Sequence, residues 1–120
     1  MYNKFRANNY FEKVDFGQVT WYCIINSLLL PIIKDSVDSG KIKWTEHVAK
    51  RLISRHISPN EVLQALSNGR IIEDYPSDYP FPSCLVFGCT VQNRKLHIVC
   101  SIVNDDTLTI ITAYEPDFNK

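Results

Sequence analysis

A histidine and two arginines recur one helical turn apart, at His47, Arg51 and Arg55. At i, i+4 and i+8 on a helix they share one stripe. Guanidinium forks match the oxygens of a phosphate in pairs, and an imidazole one turn away can move a proton near neutral pH. The apolar stripe of Val48, Leu52 and Ile53 is displaced from this row. The same spacing therefore also fits a solvated helix face, ion-paired to Glu46 and Glu61.

Two further residues could handle protons. His97 lies in Arg94-Lys95-Leu96-His97-Ile98-Val99, where alternation puts Leu96, Ile98, Cys100 and Ile102 on one strand face. His97, Val99, Ser101 and Val103 take the other face. A lone strand histidine is more often structural than catalytic. Tyr114 ends the run Thr109-Ile110-Ile111-Thr112-Ala113-Tyr114. If Asn104 pairs with Thr107, His97 faces Tyr114 and Val99 faces Thr112. If Val103 pairs with Thr107, His97 faces Ala113 and Tyr114 turns away. One residue of slip reverses the face, and the residues alone leave both registers open.

The elements that must carry these side chains are readable in outline. Residues 45–56 predict a helix with Thr45 as N-cap and Glu46 at its positive end. Ser58-Pro59-Asn60-Glu61 is the strongest local signal: a cap, a proline at the first helical position, and a glutamate closing a capping box. The next helix spans residues 59–67 and stops at Asn68-Gly69. Upstream, residues 20–38 predict a helix that Pro31 kinks or splits and Gly40 ends, although the β-rich run 19–25 could be a strand. Residues 1–16 have no clear period and read as an arm. After Gly69 the period becomes two. Residues 70–75, 83–90, 95–103 and 107–114 predict strands. Pro76, Pro80 and Pro82 stiffen the first connection, and short links at Gln92-Asn93 and Asn104-Asp105-Asp106 make antiparallel hairpins. The expected fold is α+β, with N-terminal helices packed on a four-stranded antiparallel sheet.

The chain has 120 residues, which suits a single domain, and 45% of them are hydrophobic. Its formal net charge is zero, which argues against a purely electrostatic nucleic-acid binder. Charge is nonetheless uneven. Residues 41–70 hold six cations against Glu46 and Glu61, about +4, so the remainder carries about −4. The four cysteines, Cys23, Cys84, Cys89 and Cys100, form no C-x-x-C pair and sit in apolar runs. They read as buried, reduced thiols in a cytoplasmic protein, with no metal bound. The apolar segment 19–33 is too short to span a bilayer. It reads as core, or as the interface of a homo-oligomer. No phosphate-cradling glycine loop, nucleophile elbow or carboxylate pair at metal-binding spacing occurs, so nucleotide hydrolysis, dinucleotide and metallohydrolase chemistry find no residues.

From Trp44 to Pro116 the chain resembles the domain-of-unknown-function family numbered 4258. The matching pieces are Glu46-His47 with Arg51 and Arg55, then Ile57-Ser58-Pro59-Asn60-Glu61-Val62, then Gly69 with Ile71-Ile72-Glu73. Leu96-His97-Ile98-Val99 and Ile110-Ile111-Thr112-Ala113-Tyr114 complete them. Residues 1–43 lie outside the resemblance as an extension, and residues 44–116 form a toxin-like core. That family looks like a branch of the small RelE- and BrnT-like toxins, of the RelE/barnase-like fold type. The resemblance implies a metal-independent ribonuclease that uses no cofactor and pairs with an antitoxin protein. It also implies His47, Arg51, Arg55, His97 and Tyr114 as functional positions. Cleavage by attack of a ribose 2′-hydroxyl on the adjacent phosphate is the chemistry these residues suit. The alternative is a non-catalytic module that binds protein or nucleic acid through the same basic face.

Overall fold

A computed structural model describes residues 17–79, 81–102 and 107–117, with side chains from residue 23 onward. The arm expected at residues 1–16, the hairpin link at 104–106 and the side chains of residues 19–22 fall outside the described residues.

Helix α1 (Gly17–Leu28) and helix α2 (Leu30–Ser39) part at Leu29, two residues before Pro31. A proline has no N–H, and its ring collides with the preceding turn, so the predicted helix splits there. The apolar stripe survives the break. Ile25, Leu29 and Ile33 are all buried, and their backbones stay linked by N–H···O bonds of 2.8 Å and 3.0 Å. Gly40 ends α2 at φ 77°, with Gly40 N donating to Val37 O and Lys41 N to Ser36 O. This is a Schellman motif, and glycine takes its left-handed position without a Cβ clash.

Strand β1 (Ile42–Trp44) follows, then helix α3 (Glu46–Ser54). Thr45 caps α3 by accepting from Val48 N at 3.1 Å. The helix stops two residues before the predicted end, so Arg55 is its C-cap and His56 turns the chain at φ 57°. Helix α4 (Pro59–Asn68) opens with the predicted capping box: Glu61 N donates to Ser58 Oγ, and Ser58 N donates to Glu61 Oε1.

Strands β2 (Arg70–Tyr75), β3 (Ser83–Cys89), β4 (Lys95–Ile102) and β5 (Leu108–Tyr114) are antiparallel neighbours, as expected. The sheet, however, is not four-stranded. Its order is β1-β5-β4-β3-β2, and β1 lies parallel to β5, pairing Ile42 with Leu108 and Trp44 with Ile110. Strand β1 is three residues long and its partner lies more than sixty residues away. No alternation over three positions can announce it, and hairpin logic cannot reach a parallel partner.

All described helices that pack on the sheet share one face of it. Val86, Leu96, Ile98, Cys100, Leu108, Ile110 and Ala113 are buried there, in the same apolar cluster as Ile25, Leu29 and Ile33. The helical residues 25–33 thus bury their main stripe within the chain. Two asparagine amides fasten helices to strands as a neighbouring strand would. Asn26 of α1 donates to Ile71 O and accepts from Ile71 N. Asn68 of α4 does the same with Cys89. At the centre of the α4–β3 contact a Cβ on Gly88 would stand 1.9 Å from Ala65 O, so only glycine lets the two backbones approach so closely.

Candidate functional site

The face of the sheet turned away from the helices carries a row of side chains across four strands. Arg70 pairs with Phe87, Phe87 with His97, and His97 with Tyr114. Directly opposed residues share a face, so the four side chains stand side by side. The His97 ring lies 5.5 Å from that of Phe87 and 5.4 Å from that of Tyr114, at 84° and 71°. These edge-to-face arrangements tile the surface as a herringbone.

Tyr114 reaches this row because of a β-bulge. Near the β4–β5 connection Ile102 pairs with Leu108 and Cys100 with Ile110. Beyond it Val99 pairs with Thr112 and His97 with Tyr114. Ile111 is the extra residue. The two registers open in the sequence therefore both occur, one on each side of the bulge. Both Ile110 and Ala113 stay under the helices although three positions separate them, and Tyr114 joins His97 on the open face.

Glu73 and Tyr75 complete the group. Tyr75 Oη donates to Glu73 Oε1. Burial raises the Tyr75 pKa, and the hydrogen bond and charge of Glu73 add to the rise. Tyr75 is thus a committed donor, not a proton carrier near neutral pH. His97 is half-buried, and desolvation holds its pKa below the usual histidine value, against a smaller opposing pull from the Glu73 carboxylate. Desolvation thus favours its neutral imidazole, the form able to accept a proton.

Helix α3 delivers a cation to the same place. Strand β1 covers β5 only as far as Ile110, and α3 takes over along the uncovered edge. Arg55 Nη1 donates to Thr112 Oγ1 at 3.0 Å and to Ala113 O at 2.9 Å. The guanidinium is thereby pinned to the two residues before Tyr114. Of the five residues singled out in the sequence, the structure brings the His97 and Tyr114 rings together and fixes Arg55 to Thr112 and Ala113, just before Tyr114. His47 and Arg51 lie exposed on earlier turns of α3, about 12 Å and 6 Å back along the helix axis from Arg55. Lys50 and Glu46 form an exposed i, i+4 ion pair on that helix, so Glu46 is engaged within α3.

Arg94, on the β3–β4 turn, went unremarked in the sequence. Asn93 before it takes the left-handed conformation at φ 64°. Arg94 Nη1 donates to His56 O at 2.7 Å and to both Glu61 carboxylate oxygens at 3.1 Å. Its Nη2 donates to Arg55 O at 3.2 Å and to Glu115 Oε1 at 3.0 Å. One side chain thus ties the α3–α4 turn, the start of α4 and the residue that follows β5. It holds Arg55 by its backbone carbonyl and the residue after Tyr114 by its carboxylate. Glu115 pulls the Arg94 pKa up, and Arg94 in turn holds the Glu115 carboxyl low. Nothing in an arginine at the end of a turn signals such a role, because its partners come from segments 21 to 39 residues away.

The cysteines follow the sheet. Cys84 and Cys100 are buried and directly opposed, and Cys89 is half-buried. Cys23 is exposed, contrary to the expectation of a buried thiol, because it lies off the Ile25–Leu29–Ile33 stripe. None of the four is joined in a disulfide. Among the described residues no three His, Cys, Asp or Glu side chains converge as a metal site would require, and no helix is long and apolar enough to cross a membrane.

No curated protein and no solved structure matches the chain. A family model described as "Domain of unknown function (DUF4258)" matches residues 44–115. That span runs from the end of β1 past Tyr114 and holds Arg55, Glu73, Tyr75, Phe87, Arg94, His97 and Tyr114, and with 72 of the 120 residues matched the chain belongs to the DUF4258 family.

Proposed function

We propose that the protein is a metal-independent ribonuclease of the toxin kind, with its reacting centre on the open sheet face. One observation carries the reading. A half-buried His97 touches Tyr114, and Arg55 is fixed to the two residues before Tyr114. A base, a hydroxyl donor and a cation at one point are what transesterification of a phosphodiester needs. His97 takes the proton of a ribose 2′-hydroxyl. The 2′-oxygen forms a bond to phosphorus while the bond to the 5′-oxygen breaks. Tyr114 gives a proton to the departing oxygen. Arg55 faces the charge that builds on the phosphoryl oxygens. The products are a 2′,3′-cyclic phosphate and a free 5′-hydroxyl. Arg51 and, one turn further back, His47 form an outer polar stripe along which the flanking RNA approaches.

In this reading RNA is the substrate, and a cognate antitoxin protein is the regulating partner. The deciding experiment is cleavage of a mixed-sequence RNA in the presence of EDTA, with His97→Gln alongside. Cleavage that survives EDTA and disappears in the variant supports the proposal. Equal cleavage by both proteins, or none by either, ends it. A non-catalytic binding module is the second reading. It is favoured by an apolar groove of about 280 Å³ lined by Trp44, Ala49, Leu52, Ile53, Ile57 and Pro59, away from His97. Ile53 there is 75% exposed.

A further inference from the structure

The row on the open face extends past His97 in the direction away from Tyr114, through Phe87 on β3 to Arg70 on β2. Neither residue has a task in the transesterification above. Strands stand about 4.8 Å apart, so Arg70 begins about 10 Å from His97 along the row. Phe87 lies between them, half-buried, with its ring beside that of His97. Arg70 is exposed.

We propose that the open face binds single-stranded RNA crosswise to the strands, with Phe87 and Arg70 forming the subsite for the nucleotide next to the scissile phosphate. The proposal rests on the ribonuclease reading only for where the scissile phosphate sits. Its own support is the order of chemistries along the row. A cation stands at each end, Arg70 at β2 and Arg55 at β5, and aromatic rings lie between. A nucleic-acid strand crossing the sheet presents a phosphate to each end and bases to the middle. Ring faces accept any base, because every base has a π-face, so this subsite is tolerant of sequence. Glu73 sharpens the polarity. Its carboxylate, in the next row and hydrogen-bonded by Tyr75, repels a phosphate at the centre and accepts from a base amino group there. A duplex cannot use such a row, since its bases are stacked on one another and show only edges. A four-strand face carrying the rings of Phe87, His97 and Tyr114 in one row suits two or three unpaired nucleotides.

The test is binding by the full chain, read by fluorescence anisotropy. The probe is a fully 2′-O-methylated dodecanucleotide of mixed sequence, which cannot undergo attack by its own 2′-oxygens. It is offered alone and annealed to its complement. The single strand should bind at least tenfold more tightly than the duplex. Phe87→Leu should weaken single-strand binding on the order of tenfold. Arg70→Gln should weaken it severalfold and flatten the slope of log K against log salt by about 0.7. Preference for the duplex, wild-type binding by both variants, or no binding of either probe overturns the proposal. If Phe87→Leu does not fold, Arg70→Gln at its exposed site decides alone. The two readings fail separately. RNA cleavage lost in His97→Gln with binding untouched by Arg70→Gln and Phe87→Leu removes the subsite and leaves the ribonuclease. Binding that needs Arg70 and Phe87 in a protein that never cleaves RNA leaves the subsite and removes the ribonuclease.

Discussion

Consecutive residues of β4 live in different surroundings. Leu96, Ile98 and Cys100 have no exposure at all beneath the helices, whereas His97 and Val99 between them are half-buried on the far side. The covered face is built for close approach, with apolar side chains, a glycine where α4 meets β3, and asparagine amides at the margins. The open face is a mixture of rings, a histidine, a carboxylate and arginines. Its members interact pairwise, and replacing one opens no cavity in the core. The main core therefore lies on one side of a sheet one residue thick, and the proposed chemistry on the other, where Ser83, Leu85 and Ser101 are also buried beyond the His97 row. Substitutions should separate the two properties almost completely.

The sharpest break is Gly88→Ala. Its Cβ would meet Ala65 O, a backbone atom that cannot swing aside. Denaturant unfolding should show a loss of about 3 kcal/mol or more, or no folded protein. Ile98→Ala, on the same face, should cost about 2 to 5 kcal/mol with an unchanged denaturant slope. Arg94→Met belongs to neither face. It removes several hydrogen bonds to carbonyls and carboxylates at once, and a loss of about 2 kcal/mol is expected for a partly exposed clamp. Cleavage should fall further in Arg94→Met than in an equally destabilised core variant, because Arg55 and Tyr114 lose a shared support. His97→Gln reverses the pattern. Its stability should change by less than about 1 kcal/mol, while RNA cleavage falls by about 10² to 10⁴.

Acidity tests the same side chain without changing the core. The folded His97 pKa lies below its unfolded value, so the unfolded chain binds the proton first as pH falls. Stability from this residue is intact above the unfolded value of about 6.5 and declines as pH drops from there toward the lower folded pKa. His97→Gln should flatten that part of the stability profile. Wild-type cleavage should likewise rise with pH through a value below about 6.5. The smallest effects are expected at His47→Gln and Arg51→Gln, within about 0.5 kcal/mol in stability. If either abolishes cleavage as fully as His97→Gln, the reacting centre extends along α3 and the contrast between the faces must be redrawn.

What could be read in the residues was whatever they announce locally. The capping box at Ser58 and Glu61, the Schellman glycine at Gly40, the split ahead of Pro31 and the alternation of Leu96, Ile98 and Cys100 are all satisfied by near neighbours in sequence, and all appear. What went unread depends on distant partners. Strand β1 becomes a strand because Leu108 to Ile110 offer it an edge. Arg94 becomes a clamp because three segments meet at its guanidinium. The proposed site lies between these cases. Arg55, His97 and Tyr114 were picked out by residue type and family resemblance, but their meeting required one bulge at Ile111, for which no glycine or other turn signal gave notice. Phe87, Glu73 and Tyr75 gave no such notice either, since an aromatic or acidic residue in a strand is ordinary until its neighbours across the sheet are known.

The parallel pairing of β1 with β5 also imposes a schedule. A nascent chain emerges from its first residue, so Ile42 to Trp44 are made long before the Leu108 to Ile110 segment they pair with. At roughly 5 to 20 residues per second the delay is on the order of 3 to 13 seconds. Throughout that interval Ile25, Leu29 and Ile33 have no completed sheet to cover. Among the described elements, the apolar stripe of α1 and α2 thus waits for the last strand of the sheet, and during translation it lies open to chaperones and to association between unfinished chains.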